Sequence, residues 1–272
     1  MFNDFSEVVL LTNSIYSYDI REWIEYYQKL GFDHISIYDN STINLKNIVK
    51  KYNNVSYTKV RGFPAQCTIE LEHYKQSKYK WVFFADDDEF IWIDPKYENI
   101  NTYLSLKEKE LNADIIAVYW VKISSNPCME HRPNNRNTTQ IKSFKYVQPN
   151  NIEQDSWVKC FYKTGCSIDK MECHYSSPFK NIKNTNNQLL ILSDIRKRNY
   201  NYQNDDILIY HYFHRSWDEF NKKINSSIAT TNILYKKKFL FYNINTYYNY
   251  IKLLYNIGYM KYVDKIEKFM YG

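Results

Sequence analysis

Up to residue 85, short apolar segments alternate with amphipathic ones, and this alternation restricts the fold more than any other feature of the chain. EVVLLT (residues 7–12) reads as a buried strand. DIREWIEYYQKL (residues 19–30) follows as an amphipathic helix, with Asp19 as its N-cap and Gly31 as its stop. HISIYD (residues 34–39) predicts a second strand, residues 45–51 a helix, VSYTKV (residues 55–60) a third strand, residues 65–77 a helix, and WVFFA (residues 81–85) a fourth strand. Strands separated by helices of this length predict an α/β domain, a mostly parallel sheet with helices on both faces. At 272 residues, 44% hydrophobic and 24% charged, the chain is globular and long enough to bury a substantial core. The 28 tyrosines beside only 5 glycines fit an AT-rich genome and carry no functional weight.

The fourth strand runs straight into acids: KWVFFADDDEFIWI holds Asp86, Asp87, Asp88 and Glu89 between two apolar flanks. Two carboxylates about 4 Å apart repel by roughly 4 kcal/mol at an effective dielectric near 20, so positive charge is expected close by. In open α/β sheets ligands bind beyond the C-terminal ends of the strands. Asp39 ends the second strand and Asp86 follows the fourth, so both are expected to face one crevice. Alternation along extended backbone predicts Asp86 and Asp88 on one side, Asp87 and Glu89 on the other. A nucleotide is the common occupant of such a crevice, yet neither GxGxxG nor GxxxxGK[ST] occurs. Phosphate must then be held by side chains or a metal, and carboxylates two residues apart are hard oxygen ligands suited to Mg²⁺ or Mn²⁺.

Charge and cysteine usage narrow the class further. The balance of 36 basic against 30 acidic residues gives a net charge of +6, far weaker than the dense basic stripe of a nucleic-acid binder, and no nucleic-acid partner is expected. Lys236, Lys237 and Lys238 read as a solvated helix face. Cys67, Cys128, Cys160, Cys166 and Cys173 are odd in number and lack a CxxC pair, which points to reduced thiols rather than a disulfide framework or a thiolate zinc site. Asp4 and Glu7 stand where a secretory signal needs basic residues, and no apolar run approaches a transmembrane length. A soluble, cytoplasmic protein is expected, in the host cytoplasm if the source is viral.

With these residues in view, FFADDDEFIWI resembles the D-x-D-E-F signature of GT-A fold glycosyltransferases, in particular glycosyltransferase family 92 and the related family-2-like group. REWIEYYQKLGFDHISIYDNST resembles the family's EW…Y…G…H-x-x-I-Y-D-N-x-S block, and ILIYHYFHRSWDEFNKKI resembles its HY…S…F…K segment. Together these stretches cover most of residues 7–225. Two departures stand out. The family opens its first loop with K-N-E where this chain has Thr12, Asn13 and Ser14, and WVKISSNP replaces the FGS-type stretch that often follows the tryptophan matching Trp120.

The resemblance implies a GT-A, Rossmann-like fold and transfer of a hexose from a nucleoside-diphosphate sugar, with UDP-galactose or UDP-glucose as the best-fitting donors, to an acceptor hydroxyl of a glycan or glycoconjugate, with inversion. It implies Mn²⁺ or Mg²⁺ held by Asp86 and Asp88, with Asp86 also near the sugar or ribose. His211 is implied as a third metal ligand, and His174 also resembles a family position. Thr12, Asn13, Asp39, Asn40, Arg61 and Gln66 are implied at the nucleotide. Asp155 is the first candidate for the base that takes the acceptor's proton, with Glu130, Asp205 and Asp206 as alternatives. Trp23, Trp81 and Trp92 are expected in the core, Trp120 or Trp157 at the acceptor, and His73 and His214 on helices or surfaces.

Residues 1–225 read as the GT-A domain. Residues 226–272, with helical spacing of aromatics and leucines, read as a helical extension packed on it, whose tyrosine-rich faces are also candidates for a homo-oligomer contact. Two rival classes share the same acids: a metal-dependent nuclease or phosphotransferase, which normally gathers carboxylates from several separated elements, and a catalytically silent nucleotide-sugar-binding domain.

Overall fold

The computed structural model describes residues 5–12, 14, 16–61, 66–124, 131–147, 155–198, 205–213, 215–220, 261–262 and 264–272. In chain order the elements are β1 (Ser6–Thr12), α1 (Ser17–Leu30), β2 (His34–Asp39), α2 (Lys46–Val49), β3 (Val55–Lys59), α3 (Gln66–Gln76), β4 (Trp81–Ala85) and β5 (Glu89–Ile93). They continue with α4 (Ile100–Leu111), β6 (Ile115–Ser124), α5 (Gln140–Ser143), β7 (Tyr146–Val147), β8 (Asp155–Lys163), β9 (Lys170–Met171) and β10 (Ser176–Ser177). The last are β11 (Ile182–Asn184), β12 (Arg196–Arg198), β13 (Ile207–His211), β14 (Lys261–Tyr262) and a terminal helix, Lys265–Tyr271.

The α/β class is borne out. β4, β1, β2 and β3 lie side by side and parallel, each joined to the next in sequence by a helix. β8 then enters antiparallel between β4 and β6, so the sheet becomes mixed in its second half. β11 and β13 pair with β6 in parallel, and β5 pairs antiparallel with β13. Both faces of the central strands are covered. Val8, Leu10, Trp81 and Phe83 pack on the side of α1 and α4, while Val9, Val82 and Phe84 pack on the side of α3. Near-continuous apolar strands are what a sheet buried on both faces requires.

α1 stops where expected. Gly31 adopts φ 93°, and its amide together with that of Phe32 closes the last turn onto Gln28 and Tyr27. A Cβ at Gly31 would lie 2.8 Å from Cβ of Asn99, so the position is closed to side chains by space as well as by backbone conformation.

The start of α1 differs from the expectation. Tyr16 occupies the N-cap, and Asp19 lies inside the first turn, buried, with its carboxylate turned away from the helix amides. The reason is Arg132. Its Nη1 and Nη2 donate to the two oxygens of Asp19 at 2.7 and 2.6 Å, its Nε and Nη2 donate to Glu219 at 3.0 and 2.5 Å, and Nη1 also donates to the Thr138 carbonyl. All five N–H groups of this buried guanidinium are thereby used, and three segments distant in sequence are tied at one point. A bidentate arginine outcompetes a helix cap for the same carboxylate.

Of the predicted extension over residues 226–272, residues 226–260, including Lys236 to Lys238, and residue 263 lie outside the described residues. β14 pairs with β7, and the terminal helix packs on α1 through Phe269 against Tyr26. Buried Glu22 pins that helix: it accepts from the hydroxyls of Thr139 and Tyr271 and from the Ile141 amide. Burial pushes the Glu22 carboxyl up to about 7 despite these hydrogen bonds.

Three outcomes are expected. Arg132→Ala leaves Asp19 buried without its ion-pair partner and Glu219 with only the more distant Arg215, and lowers the unfolding free energy by about 3–5 kcal/mol in denaturant titrations; a loss under about 1 kcal/mol would show a solvated cluster. Gly31→Ala costs about 2 kcal/mol or more, read in the same assay. The folded-state pKa of Glu22 lies above its ordinary 4.5, so its stabilising contribution is complete below pH 4.5 and is lost as pH rises toward 7. Relative to Glu22→Gln, the wild type therefore loses about 3 kcal/mol between pH 5 and pH 8. A difference independent of pH would contradict a protonated Glu22.

Candidate active site

The C-terminal ends of β1, β2 and β4 point the same way, and the acidic run lies at that edge. The chain leaves β4 at Ala85, turns through Asp86, Asp87 and Asp88, and resumes as β5 on a different branch of the sheet, beside β13. There the last residue of β13, His211, stands opposite Glu89. The turn is closed by the Glu89 amide donating to the Asp86 carbonyl at 3.1 Å. It is also held from behind by one face of α1. Trp23 Nε1 donates to the Asp86 carbonyl at 3.1 Å, Tyr27 to that of Glu89 at 3.1 Å, and Tyr26 to that of Ile91 at 2.6 Å. Positions 23, 26 and 27 share a helix face, so the spacing that makes α1 amphipathic also fixes the acids' backbone.

The expected positive charge comes from two distant residues. Lys159 Nζ on β8 lies 3.2 Å from Asp86 Oδ2 and 3.7 Å from Glu89 Oε2. Arg215 Nη2 lies 2.7 Å from Asp87 Oδ1 and 3.5 Å from Asp88 Oδ2. The pairing is therefore Asp86 with Glu89 and Asp87 with Asp88, not the alternation expected of extended backbone, because the run is a turn rather than a strand. Arg215 holds φ 46°, in the left-handed region that a Cβ disfavours. Its two carboxylate partners, with Glu219 Oε1 at 4.0 Å, offset that cost and extend the ion-pair chain to Arg132 and Asp19.

Burial sets the protonation pattern. Glu89 is fully buried, and its carboxyl is raised well above the usual range by desolvation, with the charges of Asp86 and Asp88 adding to the effect. Burial also raises buried Glu70 to about 7, against the pull of Lys159 and the Gln66 hydrogen bond. For Lys159, burial alone would favour the neutral amine, but the neighbouring carboxylates, Asp86 first among them, outweigh it and keep the ammonium charged. Asp86, the nearer carboxylate, is the ion-pair partner, and Glu89 instead accepts the Asp86 amide at 2.9 Å.

The predicted binding residues divide into several groups. Gln66 reaches Asp86 Oδ1 at 3.1 Å and Glu70 at 2.8 Å through Nε2. Thr12 donates to Asp87 Oδ2 at 2.8 Å, and its own carbonyl accepts the Asn40 amide at 2.8 Å, so Thr12 and Asn40 stand together at the crevice edge. Asp39 is fully buried, and its carboxylate accepts from Ser41, Tyr57 and Lys59, which makes it the organiser of the loop carrying Asn40. Arg61 is exposed just beyond β3. Asn13 and Glu130 lie outside the described residues, and of Asp155 only the backbone is described, at the start of β8 opposite Arg198. Asp205 and Asp206 stand before β13, at the end remote from His211, roughly 16 Å along the strand. Asp206 is bound to Lys96, Lys107 and Tyr97 there.

Two histidines flank the acids. His211 Nε2 is 3.4 Å from Asp88 Oδ1, and its ring lies 4.2 Å from that of Trp120. His174 bonds the Val158 carbonyl through Nδ1 at 3.0 Å and stacks on Trp157 at 4.4 Å. Burial, reinforced by Lys159, lowers His174 to about 3, so its ring is neutral. Trp120 is buried between the two histidines, Trp23 and Trp81 are core residues, and His73 lies on α3 beside Glu7. His214 falls outside the described residues. Among the described residues no three His, Cys, Asp or Glu side chains converge as a ready-made metal cluster. At the acidic turn itself, Asp88 and His211 lie side by side. Their 3.4 Å separation is close to the roughly 3 Å between adjacent donors on an ion with bonds near 2.1 Å. Lys159, Arg215 and Arg132 carry no charge-balancing role in the sequence reading, although Lys159 aligns with a family lysine segment and Arg215 lies within the family-like segment that ends in NKKI.

The chain matches the family model for glycosyltransferase family 92 over residues 16–240. Curated proteins give no match. Among solved structures, Staphylococcus aureus TarS 1–349 is 19% identical with a TM-score of 0.35, covering 43% of this chain and 36% of that one. The same protein in complex with UDP gives 19% identity, a TM-score of 0.34, and coverage of 44% and 36%. HddC from Yersinia pseudotuberculosis is 11% identical with a TM-score of 0.38, covering 65% of this chain and 88% of that one. The alignment thus spans about a third of the TarS chain. Among the described residues no helix is long and apolar enough to cross a membrane. Because the family match runs unbroken from the start of α1 past the arginine that clasps the acidic turn, and takes in most of the sequence, the chain belongs to glycosyltransferase family 92.

Proposed function

We propose that the protein transfers a hexose from a UDP-sugar to a hydroxyl of a glycan or glycoconjugate, with inversion and with the help of Mn²⁺ or Mg²⁺. The observation that carries this reading is the acidic turn itself. It lies at the C-terminal edge of parallel strands, where α/β sheets bind ligands, and it sets three aspartates beside a histidine. Asp86, Asp87 and Asp88 face two cations, buried Lys159 and partly buried Arg215, while burial disfavours charge on Glu89 and Glu70.

Asp88 and His211, with Asp86 beside them, are the side chains that would hold the ion; a mixed carboxylate and imidazole set suits Mn²⁺. The bound ion would offset the charge that builds on the leaving diphosphate. Lys159, fixed beside Asp86, supplies a second positive charge at the same edge. Thr12, Asn13, Asn40 and Arg61 are assigned to the nucleotide, with Asp39 shaping the loop that presents Asn40. Gln66 keeps Asp86 oriented. In the transfer, the acceptor oxygen forms a bond to the anomeric carbon, the bond from that carbon to the diphosphate breaks, and the hydroxyl proton passes to a carboxylate. Asp155, four residues before Lys159 on β8, is assigned that base.

Calorimetry of UDP-sugars with and without Mn²⁺, followed by assays for free UDP and transferred sugar, tests the reading. Absence of ion-dependent binding by any nucleotide sugar would defeat it. Binding without hydrolysis or transfer would mark a silent domain, and cleavage of nucleic acid a nuclease. Asp88→Asn is expected to weaken Mn²⁺-dependent donor binding by at least about 100-fold while the melting temperature stays near that of the wild type; undiminished, equally ion-dependent binding would remove Asp88 from the site.

A further inference from the structure

Two cysteines that nothing in the sequence pairs are neighbours in space. Cys67 and Cys173 are separated by 106 positions, yet their sulfurs lie 3.7 Å apart. Both are partly exposed, unlike buried Cys160. Cys67 belongs to the first turn of α3, next to Gln66, whose amide reaches Asp86. Cys173 lies just after β9, which packs on α3, and immediately before His174.

We propose that Cys67 and Cys173 form a reversible dithiol–disulfide pair, oxidised by a small-molecule disulfide of the glutathione type, and that the bond fastens the first turn of α3 to the segment ahead of His174. A disulfide needs its sulfurs about 2.05 Å apart, so closure asks for an approach of roughly 1.6 Å between two surface segments. Cys67 is the attacking thiol. The two sulfurs share a hydrogen bond that favours the thiolate on Cys67, and burial raises the pKa of Cys173, while the ammonium of Lys159 acts on both. A position in the first turn of a helix favours the thiolate as well.

The exchange balances without further reagents. The Cys67 thiolate attacks one sulfur of the oxidant, forming a mixed disulfide and expelling one small thiolate. Cys173 loses its proton and attacks the Cys67 sulfur, expelling the second small thiolate. Two protein thiols are oxidised by two electrons, one small disulfide is reduced to two thiols, and the two protons end on those thiols. None of this depends on the reaction in the crevice, so the pair stands whether or not the chain transfers sugar.

The test uses the reduced full-length protein incubated with oxidised glutathione, alkylated, and mapped by mass spectrometry without reduction. The expected product is one peptide pair joined through Cys67 and Cys173, two hydrogens lighter than the free peptides and restored by dithiothreitol. Its melting temperature is expected to rise by about 5 °C. Cys173→Ser is expected to stop at a glutathione adduct on Cys67. A map in which both cysteines remain alkylatable, or bond to other cysteines, overturns the pair. No rise in melting temperature overturns the fastening, and an adduct-free Cys173→Ser protein under conditions that modify Cys173 in Cys67→Ser overturns the choice of attacking thiol.

Discussion

Four acids in succession persist at the edge of this sheet because two cations from remote parts of the chain reach them. At 4 Å and an effective dielectric near 20, each close pair of carboxylates costs about 4 kcal/mol, which a domain of ordinary stability cannot leave uncompensated. Lys159 arrives on β8, antiparallel to β4, and Arg215 arrives in the loop after β13. Neither cation is itself free to move. Arg215 is locked in a left-handed backbone conformation, and its neighbour Glu219 is held by Arg132, which in turn holds Asp19 of α1. The acidic turn therefore sits at one end of an alternating chain of charges that runs across the back of the crevice and into the helix behind it.

That helix does a second job. Trp23, Tyr26 and Tyr27 bury their rings against the sheet and spend their polar atoms on carbonyls of Asp86, Ile91 and Glu89. Large aromatic side chains with one polar atom suit this use, since the ring supplies burial and the polar atom donates to a backbone carbonyl. The side chains of the acids point to the cations while their backbones are held by α1. Carboxylates positioned from two sides keep their geometry before any ligand arrives, which is the preorganisation that binding charged groups demands.

The strands and helices up to residue 85 were legible because their periodicities are strong and each buries a full face. What the sequence concealed was partner choice. Asp19 carries the signature of an N-cap, yet a bidentate arginine 113 positions away claims it. Asp39 reads as a ligand-facing strand end, but Ser41, Tyr57 and Lys59 turn its carboxylate inward. The alternation expected for residues 86–89 failed for a local reason: acids cannot extend β4 into the interior, so the backbone turns and regroups them around whichever cation is near. Lys159 and Arg215 were unreadable in advance because a buried cation's role is fixed by tertiary contacts, and no spacing rule links residues 73 and 128 positions from their partners. The Cys67 and Cys173 pair was hidden for the same reason: spacing rules recognise cysteines close in sequence, not those that a helix start and a later loop bring together.

The charge count at the turn also bears on the order in which ligands would enter. Among the described residues three aspartates face Lys159 and Arg215 at the crevice, and a diphosphate arriving alone would meet their carboxylates unfavourably. A divalent cation bound by them makes the same edge attractive to phosphate. On the proposed reading, ion and donor must then bind with positive coupling, each raising the affinity of the other by the same factor, since linkage between two sites is reciprocal. The strength of that coupling depends on how far Lys159 and Arg215 are withdrawn from solvent: buried and partly buried pairs are screened much less by salt than exposed ones, so the balance that the ion tips is set more by the fold than by the medium.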